Sequence, residues 1–217
     1  MTNDNGQMPL SLVHCHLSIV TCPLSFVHCH LSIVTCPLSF VHCHLSIIIC
    51  PLFKMSLKKI NNKIQTFKQI EKTVTRWKSK SYTLVFTNGC FDILHYGHIH
   101  YLADAKALGD KLIVGLNSAA SVKRLKGDNR PINDETTRQF LLAALEMVDA
   151  VVVFETDTPY DLIELIKPQI LVKGGDWQPE QIVGSYIVLK SGGAVKSLPY
   201  IKGYSTTNIE NKILGNS

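Results

Sequence analysis

The chain predicts an α/β fold: a five-stranded parallel sheet with helices on both faces, preceded by an amphipathic helix. Two observations carry this. From Tyr82 onward, short apolar runs of strand length alternate with stretches of helical periodicity, the pattern of a parallel sheet covered on both sides. The first apolar run also passes into a helical pattern through a polar, glycine-bearing turn, Thr87 to His98. Turns of that kind present backbone N–H groups to phosphate.

Taken in order, residues 55–80 come first. Ile60, Ile64, Phe67, Ile70, Val74 and Trp77 recur at helical spacing with lysines between them, which predicts one amphipathic helix from Leu57 to Lys78. Its apolar stripe must pack on the domain or on a second subunit, so a homo-oligomer, a dimer, is expected. Residues 81–217 form the main domain. Strands are predicted at Tyr82–Phe86, Lys111–Leu116, Ala150–Phe154, Ile170–Val172 and Ala194–Leu198. Helices are predicted at His98–Leu108, Glu135–Glu146, Thr158–Ile166, Ile182–Ser191 and Ser205–Ile213.

Residues 1–54 are of another kind. The stretch Leu24 to Pro37 recurs almost unchanged from Leu38, and cysteines fall at 15, 22, 29, 36, 43 and 50. No Cys-x-x-Cys pair occurs, and His14, Cys15 and His16 lie too close together to chelate one ion easily, which disfavours a metal array. Pro23, Pro37 and the histidines break every apolar run well short of the ~18–20 residues a membrane span needs. The start, Thr2-Asn3-Asp4-Asn5, lacks the basic charge of a signal peptide. The heptanucleotide TTTGTCA, written three times and translated, reads Phe-Val-Ile-Cys-His-Leu-Ser. That is one substitution from Phe26-Val27-His28-Cys29-His30-Leu31-Ser32. The segment is therefore expected to be translated repetitive DNA ahead of a true start at Met55.

Setting the repeat aside changes the composition. Cys90 is then the sole cysteine, which suits a reducing cytoplasm. Before Lys54 the one charged side chain is Asp4, so the net charge of +5 belongs to the domain and suits anionic substrates. No basic run with interleaved aromatics suggests nucleic acid. Roughly 160 residues make one domain with a sizeable core.

The turn itself reads Thr87-Asn88-Gly89-Cys90-Phe91-Asp92-Ile93-Leu94-His95-Tyr96-Gly97-His98. The Walker pattern is absent, and so is Gly-x-Gly-x-x-Gly after a strand. Gly89-x-Phe91-Asp92-x-x-His95-x-Gly97-His98 resembles the signature of the cytidylyltransferase-like nucleotidyltransferases. Val122 to Pro131, Leu171 to Asp176 and Ser205 to Ile209 follow in order. Together they are similar to one branch, the D-glycero-β-D-manno-heptose 1-phosphate adenylyltransferase domain of ADP-heptose synthase. The resemblance covers roughly Tyr82 to Leu214. Cytidylyl members carry an arginine where this chain has Tyr200, a departure that fits the heptose branch.

The resemblance implies a Rossmann-like strand order with the site above the C-terminal strand ends. It implies that His95 and His98 contact nucleotide phosphates and stabilise the five-coordinate phosphorus, with Lys126 and Arg138 as further catalytic cations. It places Thr87, Asn88, Gly89, Phe91, Asp92, Gly97, Asn117, Lys173, Gly174, Asp176, Ser205, Thr206 and Thr207 around the nucleotide. Mg²⁺, in part through Asp92, is the implied cofactor. ATP and a sugar 1-phosphate are the implied substrates, and no membrane insertion is expected.

Each residue also has a plainer reading. The histidines serve as structural hydrogen-bonding groups, Asp92 as a turn residue, and the Lys123–Arg130 run as a solvated loop. Arg138 makes a surface ion pair, Ser205 is an ordinary helix cap, and Cys90 is a small packed residue. Trp177 stacks on the ligand or packs. Two functional alternatives stay open: a CTP-dependent enzyme acting on an alcohol phosphate, and a nucleotide-binding protein without turnover.

Overall fold

The computed structural model describes residues 57–215, so the repeat, Met55 and the expectation attached to them lie outside the described residues. One sheet organises the rest. Its strands are β1 (Ile64–Gln65), β2 (Leu84–Gly89), β3 (Lys111–Asn117), β4 (Ala150–Phe154), β5 (Ile170–Gly174) and β6 (Ala194–Leu198). All neighbours pair parallel, in the order β1-β4-β3-β2-β5-β6. Setting β1 aside, this is the Rossmann-like order, which reverses between β2 and β5.

The helices are α1 (Leu57–Lys63), α2 (Phe67–Lys78), α3 (Tyr96–Lys106), α4 (Ala119–Lys126) and α5 (Glu135–Ala144). They continue with α6 (Tyr160–Ile166), α7 (Ser185–Lys190) and α8 (Thr206–Ile213). Side chains alternate across the strands and fill two cores. On one face Leu84, Phe86, Ile113, Val152 and Phe154 meet Ile70 and Val74 of α2, Leu162, Ile163 and Ile166 of α6, and Val188 of α7. On the other, Val85, Leu112, Val114, Leu116, Val151 and Val172 meet Tyr101, Leu102 and Ala105 of α3, and Leu142 and Ala143 of α5. Helices α3 and α5 follow strands on one side of the reversal, while α7 follows β5 on the other.

The structure corrects three expectations. The leading helix is broken. Ile64 and Gln65 pair with Val151 and Val152 of β4 and add a sixth strand at the sheet edge. Thr66 then starts a new helix through a capping box, its backbone N–H donating to Gln69 Oε1 at 2.8 Å. The break is needed because Ile60 and Ile64 pack on the α3–α5 face, whereas Ile70 and Val74 pack on the opposite one. One straight helix cannot reach both. Of the apolar stripe, Ile60, Ile64, Ile70, Val74 and Trp77 thus pack within the chain, while Phe67 is exposed.

The cationic run after β3 is not a loop throughout. Ser118 caps α4, its Oγ accepting Ser121 N–H at 3.1 Å, and the helix ends at Lys126. The predicted helix from Ile182 is shorter and follows a 3₁₀ turn, Pro179–Gln181. Among the described residues no helix is long and apolar enough to cross a membrane.

Candidate functional site

A cleft of about 680 Å³ opens where the strand order reverses, above the C-terminal ends of β2 and β5. Open parallel sheets place ligands there, because the connections from the two strands leave toward opposite faces. Three walls come from segments distant in sequence: the β2–α3 turn with Lys126, the end of β5, and the stretch Tyr200–Thr207.

The β2–α3 turn begins with Gly89, where a Cβ would lie 3.0 Å from Cε2 of Phe91. The missing side chain lets the Phe91 ring fold back. Phe91 itself sits at φ 43°, a left-handed conformation uncommon for a bulky residue, held here by burial of its ring. That ring meets His98 edge-on at 5.2 Å between centroids. His95 is the N-cap of α3 and makes no side-chain capping bond, so its imidazole is free to stack on His98 at 3.8 Å. The Nδ1 atoms of both rings are buried without a hydrogen-bond partner. Burial lowers the pKa of each ring. For His98, nearby His95 and Lys126 add to this, pushing it to about 4. Both rings are therefore neutral near pH 7, with polar atoms awaiting partners.

Helix α8 supplies the opposite wall. Ser205 Oγ accepts the Asn208 N–H at 3.0 Å, and helix geometry leaves the N–H groups of Thr206 and Thr207 unpaired within the helix. Gly97 lets the two helix N-termini approach, since a Cβ there would stand 3.2 Å from Cβ of Tyr204. Two positive helix ends thus face one cleft, an arrangement suited to an oligophosphate.

Lys126 reaches the cleft from the last turn of α4. Lys173, at the end of β5, has Asn88 Oδ1 at 3.5 Å, and burial lowers its pKa. Gly174 leaves room not for a ligand but for Tyr200, whose Cε1 would lie 2.7 Å from an added Cβ.

Of the residues expected at the site, Asn88, Gly89, Phe91, Asp92, His95, Gly97, His98, Lys126, Lys173, Gly174, Ser205, Thr206 and Thr207 line this cleft. Four do not. Thr87 is buried and bonded to the Tyr101 hydroxyl at 2.6 Å. Asn117 is buried and donates to Ser121 Oγ at 3.0 Å. Asp176 is exposed, one residue beyond the Gly174–Gly175 bend.

Arg138 is the fourth, and its Nη2 is buried without a hydrogen-bond partner. Its side chain is fully buried, with Nη1 donating to the carbonyls of Cys90 at 2.9 Å and Asn117 at 2.8 Å, and Nε donating to Asn133 at 3.3 Å. It braces the ends of β2 and β3 from beneath. Cys90, Tyr101, Trp177, Tyr200, Ile201 and Tyr204 also line the cleft and were not among the assigned nucleotide contacts. The Gly203-Tyr204-Ser205 sequence was the available signal, with an aromatic ring just before a capped helix start.

Asp92 is the one carboxylate lining the cleft, and it is already engaged. It accepts Arg130 Nη1 at 2.9 Å, Ile132 N–H at 3.0 Å and Asn133 N–H at 2.9 Å. Burial pushes its pKa up, but the two backbone donors and Arg130 outweigh this and hold it below the ordinary value. Among the described residues no group of three or more His, Cys, Asp or Glu side chains is placed to hold a metal. The residues do not fit a protein-held divalent cation, and Asp92 is a strut of the turn.

The sequence pattern of the cytidylyltransferase-like family matches residues 86–212. The bifunctional protein HldE of Trichlorobacter lovleyi is 51% identical over 154 residues, covering 71% of this chain and 31% of the relative. HldE of Campylobacter fetus subsp. fetus is 59% identical over 133 residues, covering 61% of this chain and 28% of the relative. The chain thus spans about a third of the length of the curated relatives it matches. Among solved structures, the lipopolysaccharide core biosynthesis protein from Thermoplasma volcanium GSS1 is 31% identical with a TM-score of 0.46. That match covers 57% of this chain and 99% of the other.

Proposed function

Because this chain belongs to the cytidylyltransferase-like family, we propose that it transfers AMP from ATP to a sugar 1-phosphate, giving an ADP-sugar and pyrophosphate. The acceptor in this reading is D-glycero-β-D-manno-heptose 1-phosphate. One observation carries the proposal: two helix N-termini, two lysines and two neutral histidines converge on one cleft whose only carboxylate is engaged elsewhere. Likeness to the HldE proteins and Tyr200 at the arginine position support the heptose branch.

An oxygen of the acceptor phosphate attacks the α-phosphorus. A phosphorus–oxygen bond forms, the bond to the bridging oxygen breaks, and pyrophosphate leaves with the electron pair. The attacking phosphate is already ionised near neutral pH, so no strong general base is required. The protein positions the reactants and neutralises charge. His95 and His98 donate hydrogen bonds to phosphate oxygens, each worth roughly 3–4 kcal/mol if fully aimed at the transition state. Lys126 and the N–H groups of Thr206 and Thr207 hold the leaving pyrophosphate. The nucleotide enters as its Mg²⁺ complex, with the ion carried on the phosphates as part of the substrate. A reducing cytoplasm suits the single cysteine of the domain.

A pyrophosphate-release assay with each nucleoside triphosphate and a panel of sugar phosphates tests this. Release with ATP and heptose 1-phosphate is the expected result. Release only with CTP and an alcohol phosphate, or none with any pair, overturns it.

A further inference from the structure

Arg130 stands where the walls of the cleft meet. Its Nη1 donates to Asp92 at 2.9 Å, and its Nη2 pairs with Glu210 of α8. Asp92 belongs to the histidine turn, Arg130 to the segment that follows Lys126, and Glu210 to the helix whose N-terminus offers Thr206 and Thr207. A single planar guanidinium therefore joins three segments, using the two sides of its fork for two carboxylates.

The two halves of this junction differ. The Asp92 side chain is 1% exposed and is held by two further backbone donors, whereas Glu210 is 24% exposed. Helix α8 has no buried residue, and its Ile213 and Leu214 are 75% and 70% exposed. Its half-buried apolar side chain, Ile209, belongs to neither core cluster. Besides the ion pair, α8 is approached through the ring of Tyr204, 5.0 Å from that of Tyr96.

We propose that the Arg130–Glu210 pair is a latch that fixes α8 against the histidine turn, making Glu210 a positioning residue for the phosphates bound at Ser205–Thr207. This rests on the ATP reading above. A helix N-terminus binds phosphate only when its N–H groups are aimed. With no fully buried side chain to aim α8, the latch supplies the alignment from its second turn. Glu210 touches no substrate, so its loss weakens nucleotide binding without removing a reacting group.

Glu210→Gln keeps the shape and removes the charge. Two measurements on the full chain separate the possibilities: amide hydrogen exchange of α8, and the Kd for ATP by calorimetry. The expected result is faster exchange across residues 206–213, unchanged protection in α3, and ATP affinity about tenfold weaker, equivalent to ~1.4 kcal/mol. Arg130→Lys keeps a charge beside Asp92 but gives up the fork, so it should reproduce the loss. The double variant should bind ATP no more weakly than Arg130→Lys alone. Wild-type α8 exchange in Glu210→Gln overturns the latch, as does an unchanged ATP Kd or losses that multiply in the double variant. If wild-type protein binds no ATP, the ATP reading fails, and the exchange data still judge the latch.

Discussion

Replacing Asp92 by asparagine separates a strut from a metal ligand. The carboxylate accepts one guanidinium and two backbone N–H donors at 2.9–3.0 Å, in a side chain 1% exposed. Asparagine keeps one acceptor oxygen and turns an NH₂ toward groups that are themselves donors. At least one donor loses its partner and Arg130 keeps only Glu210, so the cost should be about 3–5 kcal/mol, as for breaking other buried ion pairs. For a domain of this size that is a fall of roughly 10 °C in melting temperature. The Asp92 carboxyl sits below its ordinary pKa when folded. Its stabilisation is therefore complete above the unfolded value of ~3.9 and is lost as pH falls through the lower folded value. Urea melts at pH 7 should show the full gap between wild type and Asp92→Asn, and melts below pH ~4 a narrowing one. If Asp92 instead served to hold Mg²⁺, the variant would melt like wild type and need more Mg²⁺ for activity. That pair of results would refute the reasoning.

His98→Ala should lower kcat by about 10²–10³-fold in pyrophosphate release while leaving the fold intact by circular dichroism. With a folded pKa of about 4 against ~6.5 unfolded, His98 stabilises fully above pH ~6.5 and less as pH drops toward the folded value, so the variant should show a flatter stability profile there. Arg138→Met leaves three carbonyls without their donor and should cost about 3 kcal/mol in a urea melt. An unchanged melt with lost ATP binding would return Arg138 to the phosphates.

What was legible in the sequence follows from where the information is local. The two β2–α3 histidines, their glycine and the capped start of α8 are short motifs whose geometry is set within a few residues, and all reach the cleft. Strands β4 and β6 have the predicted bounds because their apolar runs are sharply delimited. The leading helix was misread because its apolar period runs unbroken through Ile64, although Thr66-x-x-Gln69 marked a new start. Arg138 sits neither at the surface nor in the lining of the cleft. It lies four residues before Leu142 on the buried stripe of α5, whereas its plainer reading was a surface ion pair and family likeness placed it on phosphate. The Arg130 junction was out of reach, because it unites residues 92, 130 and 210, and no local pattern encodes their meeting.

The balance of charge in the cleft connects the fold to the chemistry. The proposed ATP-dependent transfer would bring several negative charges into a partly desolvated space, and a free carboxylate there would oppose binding. Asp92, the one carboxylate present, is neutralised by donors on three sides. The attractive field comes from helix N–H groups, from uncharged imidazoles whose buried Nδ1 atoms lack partners, and from two lysines, of which Lys173 is the more buried. Its burial disfavours the ammonium form, and an arriving phosphate reverses that penalty by supplying the missing counter-charge.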